Sequence, residues 1–375
     1  MAILKGLVRE YSERNRTGAF SNVYSVTNSR GFVPSADYFN KEVFSNDLKN
    51  YKVVHKGMLA YNPSRINVGS VALLDSSDVV VVSPLYVVVE VANDSLLPEY
   101  LNAFLHSPSA LSQIKVLTSG SVRDSLRYSS FELLQLPVPH IKQQRAVAST
   151  LDKVCNLIAK CDEQIVRLDQ LVKSRFVEMF GDVTVNDRGW GIATLPELGE
   201  LNRGVSKVRP RNSPELLGGP YPLVQTGDVS NSGLWIKNYS STYSDKGLAQ
   251  SRLWKRGTLC ITIAANIAQT AILDFDACFP DSVVGFVPNE RTDAIFIHYW
   301  FSFFQKILEA QAPQVAQKNI NLRILSGLKV VEPPLALQRE FAAFVAKVDK
   351  LAFAARQRRD IAQKLYRAKM QEFFG

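Results

Sequence analysis

One plan is written twice in this chain, and that constrains its fold more than any composition does. At a constant offset of 194 residues and without a gap, segment 139–181 meets segment 333–375. Pro139 falls on Pro333, Gln144-Arg145 on Gln338-Arg339, Ala148 on Ala342 and Lys153-Val154 on Lys347-Val348. Leu157, Leu171, Glu178, Phe180 and Gly181 fall on Leu351, Leu365, Glu372, Phe374 and Gly375, which makes 11 identities in 43 positions. The longer regions ahead of them correspond more weakly, as where Lys56-Gly57-Met58-Leu59 meets Arg256-Gly257-Thr258-Leu259. A chain of 375 residues is also too long for one ordinary core. It divides into residues 1–138, 139–181, 182–331 and 332–375: a mixed domain, a long helix, a second mixed domain and a second long helix.

The first helix carries a heptad. Val147, Leu151, Val154, Ile158, Cys161, Ile165, Leu168 and Val172 alternate steps of four and three, which keeps one seam facing a partner. The matching seam reads Phe341, Val345, Val348, Ala352, Ala355, Arg359, Ala362 and Tyr366, with alanines that admit a bulky neighbour. Because the two seams share one register, the helices are expected to pack on each other, with Cys161 as a small core residue. Both start after proline breaks, Leu136-Pro137-Val138-Pro139 and Glu332-Pro333-Pro334.

Within the mixed domains, residues 79–82, 86–91, 259–263 and 283–287 read as buried strands. Residues 98–105 and 294–308 read as helices covering them, and the Gly/Asn-rich stretch 227–233 reads as turns and exposed loop. Only three residues precede Leu4, whereas the second copy opens with Gly189-Trp190-Gly191-Ile192 ahead of Leu195. Two alternatives stand open: the first domain lacks its opening strand, or the chain starts late. The longest apolar runs, 79–91 and 294–304, fall short of the ~20 residues that cross a bilayer. No signal-peptide run opens the chain, and four cysteines without a C-x-x-C pair suit a reducing compartment. A cytoplasmic location is expected.

Catalytic motifs are missing: there is no P-loop, no G-x-G-x-x-G after a strand and no G-x-S-x-G elbow. The four histidines stand singly, and His298, in an aromatic helical run, reads as a satisfied core residue. Cys260 and Cys278 lack histidine partners at zinc spacing, so no metal site is expected. Tyr61-Asn62-Pro63-Ser64 lacks the second proline and the aromatic of an amino-methyltransferase motif, and no cofactor loop precedes it.

Binding chemistry remains. The net charge of +9 is a weak hint of polyanion binding, but most of the surplus lies in the two helical segments. Residues 203–211 place Arg203, Lys207, Arg209 and Arg211 in a Gly/Pro-containing loop with no acid, suited to following phosphates and reading guanine edges. Arg252, Lys255 and Arg256 form a second cluster around Trp254. In the first domain Tyr61, Asn62, Arg65 and Asn67 sit together after a strand, while Arg123 and Arg127 flank a Gly/Ser-rich turn. Each cluster alone could be solvated surface; their occurrence in both copies favours a shared role.

These residues resemble the DNA specificity subunit of type I restriction–modification systems over essentially the whole chain. Gly204, then Pro220-Tyr221-Pro222-Leu223-Val224-Gln225-Thr226-Gly227-Asp228, then Lys255-Arg256-Gly257-Thr258-Leu259, Gln317-Lys318-Asn319-Ile320 and Pro333-Pro334 with Gln338-Arg339 follow the family's order. Tyr51-Lys52-Val53-Val54, Lys56-Gly57, Tyr61-Asn62, Ser83-Pro84-Leu85-Tyr86 and Gly120-Ser121-Val122-Arg123 repeat it in the first copy. The resemblance implies an α+β fold: two mixed α/β target-recognition domains separated by two long antiparallel helices that form a coiled-coil spacer. It adds Lys318 to the candidate DNA contacts. It implies one domain per half of a split double-stranded DNA site, and partners in two modification subunits and in restriction subunits. S-adenosylmethionine would bind the modification subunits, leaving this chain without cofactor or catalytic residues. Two other readings stand beside it. A stand-alone methyltransferase or its adaptor would need a cofactor loop, and a coiled-coil scaffold would leave the doubled loop clusters unexplained.

Overall fold

The computed structural model describes residues 1–28, 30–38, 47–76, 78–118, 125–264, 267–304, 307 and 320–375. It forms two compact units, one of Met1–Glu163 with Ala355–Gly375 and one of Gln164–Ala354. Each is built on a mainly antiparallel sheet whose strands alternate between two cores.

In the first unit the strand order is Val8–Tyr11, Val87–Val91, Leu59–Tyr61, Val71–Leu73. Leu59, Tyr61, Val87 and Val89 point to one face, against Leu101, Phe104 and Leu105 of helix Pro98–Leu105. Ala60 and Val88 point to the other, where strands Lys52–Val54 and Val80–Val82 close a smaller core with Val54, Val80 and Val82. The second unit repeats the arrangement. Its order is Gly199–Arg203, Val283–Pro288, Leu259–Thr262, Thr270–Leu273, then Trp235–Ile236 added in parallel. Leu259, Ile261, Val284 and Phe286 face helix Ala294–Phe301 through Phe296, Ile297 and Trp300, while Cys260, Ala271 and Val283 face Trp254 and Phe279. The matched turns carry matched glycines: Gly57 at φ +84° and Gly257 at φ +89° adopt the left-handed conformation that a side chain resists.

Two long helices, Ile141–Phe180 and Leu335–Phe374, run through the unit division. In the first unit Asp162 accepts a hydrogen bond from Arg359 at 3.4 Å, and Leu151 shares one core with Met370 and Phe374, so the segments run antiparallel. In the second, Arg175 reaches Glu340 at 3.3 Å, and Phe176 and Phe180 pack on Phe341. The seam residues are buried or half-buried in both units; Leu157 and Leu351, one step off the seam, are exposed. Arg359, the charge on the seam, turns to Asp360 and Asp162.

Three expectations are corrected. The first domain does open with a strand, Ala2–Ile3, paired antiparallel with Gln135–Leu136; two residues suffice because Leu4 behind them is fully buried. Its counterpart pairs Gly191–Thr194 with Lys329–Glu332. Residues 227–230 of the expected loop belong to the helix Thr226–Ser230, because Asp228 accepts the Gln225 N–H at 2.8 Å and Val229 is buried. The helix expected over 294–308 runs as Ala294–Phe301, and residues 305–306 and 308 lie outside the described residues. No helix among the described residues is long and apolar enough to cross a membrane.

Candidate nucleic-acid interface

The basic loop of the second unit leaves the edge strand Gly199–Arg203 and lies against the turn at residues 279–281. Gly204 permits this approach: a Cβ there would sit 2.3 Å from the Pro280 carbonyl oxygen, and its N–H donates to Val283 at 2.8 Å. The sequence shows no acid among the four cations, but the fold supplies one. Arg203 donates to the backbone carbonyl of Asp281, while Arg209 (3.3 Å) and Arg211 donate to its two carboxylate oxygens. Lys207 is exposed and makes no ion pair among the described residues; its backbone N–H is fixed by the Gln250 amide oxygen at 2.6 Å. Beneath the loop, Gln250 Nε2, Ser206 Oγ and Trp254 Nε1 are buried without a partner among the described residues. The loop thus carries four cations against one carboxylate, held at its base by backbone contacts.

The second basic cluster differs. Arg252 makes two hydrogen bonds to Glu200, at 2.6 and 3.1 Å, and stacks 3.9 Å over Trp254. Lys255 pairs with Asp276 at 2.8 Å and Arg256 with Asp274 at 2.7 Å. The Arg252 hydrogen bond holds the Glu200 carboxyl below the usual range, and that from Lys255 does the same for Asp276. These cations stabilise their own domain first, which weakens their standing as DNA contacts.

In the first unit the candidates separate. Tyr61 is fully buried, stacked on Phe131 with centroids 5.0 Å apart, so it cannot reach a duplex. As the last strand residue it shares the inward face of Leu59, and burial pushes its phenol upward. Asn62 is half-buried, its side chain accepting the Ser64 N–H at 3.1 Å. Arg65 and Asn67 are exposed on the following turn. Arg127 joins them, because Leu126 N–H donates to the Pro63 carbonyl at 3.0 Å. Arg123 and Lys318 lie outside the described residues.

The clusters weighed in the sequence omit two residues that the topology brings forward. Val8–Tyr11 borders the first sheet as Gly199–Arg203 borders the second, and the loop it feeds carries Arg14 and Arg16. Buried Asn15 pins that loop through two hydrogen bonds to the Phe20 backbone, at 2.8 and 3.1 Å. Arg14 donates to the Asn50 carbonyl at 3.0 Å, and exposed Arg16 makes no ion pair among the described residues. Aligning the edge strands of the two copies would have marked them.

His298 is the core residue expected: half-buried, hydrogen-bonded to Thr270 Oγ1 at 2.9 Å, its pKa lowered to about 4 by burial. No group of His, Cys, Asp or Glu placed to hold a metal occurs among the described residues.

The model of the type I restriction modification DNA specificity domain matches residues 11–167 and again 187–363. A putative type I restriction enzyme MjaX specificity subunit of Methanocaldococcus jannaschii is 19% identical over 96% of this chain and 87% of its own. The type I restriction enzyme EcoBI specificity subunit of Escherichia coli is 23% identical over 68% of this chain and 57% of its own. Among solved structures, the type I restriction–modification S subunit from M. genitalium superposes with a TM-score of 0.64 at 13% identity, over 100% of this chain and 95% of that one. A chain from a study of complex assembly and conformational transition of the type I R-M system superposes with a TM-score of 0.54 at 17% identity, over 99% of this chain and 96% of that one.

Proposed function

Because the chain belongs to the family of type I restriction modification DNA specificity domains, we propose that it is the subunit that reads a split double-stranded DNA site for such a complex. Residues 1–138 read one half, residues 182–331 read the other, and the helical segments 139–181 and 332–375 set their separation. The observation that carries this reading is the doubled build: two units on matched sheets, each presenting a pinned basic loop beside its edge strand. In the second unit Lys207, Arg209 and Arg211 meet the phosphate backbone, with Arg203 behind them; in the first, Arg14, Arg16, Arg65 and Arg127 do so. Methyl transfer, with S-adenosylmethionine, falls to two modification subunits, and cleavage to restriction subunits. This chain itself supplies recognition and the scaffold.

The test is to produce the chain with its modification partner in cells and map methylated sites. One gapped site is expected, and replacing residues 1–138 by the matching domain of another subunit alters one half of it alone. Simultaneous change in both halves, or methyl transfer by the purified chain alone, overturns the proposal.

A further inference from the structure

Two fully buried glutamines, Gln144 and Gln338, sit in the first turn of the two long helices. Buried amides need all their hydrogen bonds made, and both make the same ones. Gln144 Oε1 accepts the N–H of Leu97, the residue that caps helix Pro98–Leu105, at 2.9 Å. Gln338 Oε1 accepts the N–H of Asp293, which caps helix Ala294–Phe301, at 3.0 Å. Gln144 Nε2 donates to the carbonyls of Ser95 (2.6 Å) and Pro139 (2.8 Å); Gln338 Nε2 donates to those of Arg291 (3.2 Å) and Pro333 (2.8 Å). In each copy the acceptors are the residue two before the cap and the proline that precedes the long helix. The second copy adds one bond, from Thr292 Oγ1 at 2.9 Å.

Most residues flanking the two glutamines differ between the copies, yet the three matched bonds persist. Each latch joins the start of a long helix to the backbone in front of a domain helix. A rigid amide held from three directions fixes not only the distance but the direction in which the long helix departs. An apolar side chain of equal size would fill the volume and leave that direction looser.

We infer that Gln144 and Gln338 are positioning residues: within its own unit each sets the angle between recognition domain and long helix, and together they restrict the gap between half-sites to one length. The inference rests on the proposed reading of a split DNA site. The assembled complex with its modification subunits is assayed for methylation on duplexes that keep both half-sites and vary the gap by one base pair. Gln144→Met and Gln338→Met, near in size but without amide hydrogen bonds, are expected to lower the preference for the native gap by at least about fivefold each. The bases read in each half stay the same. Thr292→Val, which leaves Gln338 itself intact, shows a smaller change in the same direction. Ile114→Val, in the first core but making none of the latch's hydrogen bonds, lowers stability without altering gap preference. Unchanged gap preference in the glutamine variants, or an equal loss of preference in Ile114→Val, overturns the inference while leaving the split-site reading intact. A wild-type complex with no gapped site overturns both.

Discussion

Arg211 donates to the carboxylate of Asp281, 70 residues further along the chain, and Arg209 donates to the same group. On the proposed reading, this carboxylate competes with phosphate for the two guanidinium groups. An Asp281→Asn variant removes one negative charge from beside the loop and keeps the side chain's size. Affinity of the assembled complex for DNA lacking the site should rise several-fold at low salt, and the salt slope should steepen by about 0.9. A salt titration of binding checks this; weaker binding would mean that Asp281 holds the arginines in their productive pose.

Exposed cations without ion pairs should behave differently from paired ones. Lys207→Gln and Arg16→Gln are each expected to flatten the salt slope by about 0.9, the loss of one phosphate contact on the proposed reading. Arg252→Gln and Lys255→Gln should change it less, since Glu200 and Asp276 already neutralise them. Equal slopes for all four variants would remove the distinction drawn from the ion pairs.

His298 couples the second unit to pH. Its pKa falls from 6.5 in the unfolded chain to about 4 in the fold. Above 6.5 both states are neutral and nothing is lost. Between about 6.5 and about 4 the unfolded chain binds the proton and the folded chain does not, so stability falls as pH falls, on the order of 3 kcal/mol over the window. Denaturation at pH 7.5 and pH 5 measures it, and a His298→Gln variant should show a shallower fall.

The spacer can be lengthened. Helix Ile141–Phe180 has 40 residues, and four more near Leu168 add one turn, about 6 Å. The gap should grow by one or two base pairs with both half-sites unchanged, and some stability should be lost because the insertion interrupts the heptad. Methylation mapping of the insertion variant decides it: an unchanged gap would show that these helices do not set the spacing.

What the sequence made legible is what short-range periodicity governs. The heptad over 147–172 marks the interior of Ile141–Phe180, and apolar runs mark Val80–Val82, Val87–Val91 and Pro98–Leu105. The candidate site was less legible, because its chemistry depends on sheet register. Nothing near Arg209 announces Asp281, and nothing near Arg252 announces Glu200, 52 residues back; both partners arrive only when strands pair. Tyr61 was misplaced for the same reason: its inward direction follows from sharing a strand with Leu59, and neighbouring polar residues do not override that alternation.

The core of the first unit also uses residues from the second helix. Phe374 packs on Tyr100 and Phe104, with ring centroids 5.3 and 5.7 Å apart, and Met370 is buried beside it. Phe374→Ala should cost about 3–5 kcal/mol of stability. Thermal unfolding followed by hydrogen exchange should place that loss in strands Val87–Val91 and Leu59–Tyr61 while Leu259–Thr262 stays protected; equal loss in both sheets would contradict it.

That packing gives the protein a schedule. The second unit is one continuous stretch, Gln164–Ala354, whereas the first needs Met1–Glu163 and also Ala355–Gly375. During synthesis, domains fold as their residues emerge. All of the second unit is synthesised before Met370 and Phe374 exist to fill the hole beside Tyr100. Until then the first unit waits with apolar surface open, so cleavage after residue 354 leaves one complete unit and one that lacks part of its core. The first domain translated is the last completed.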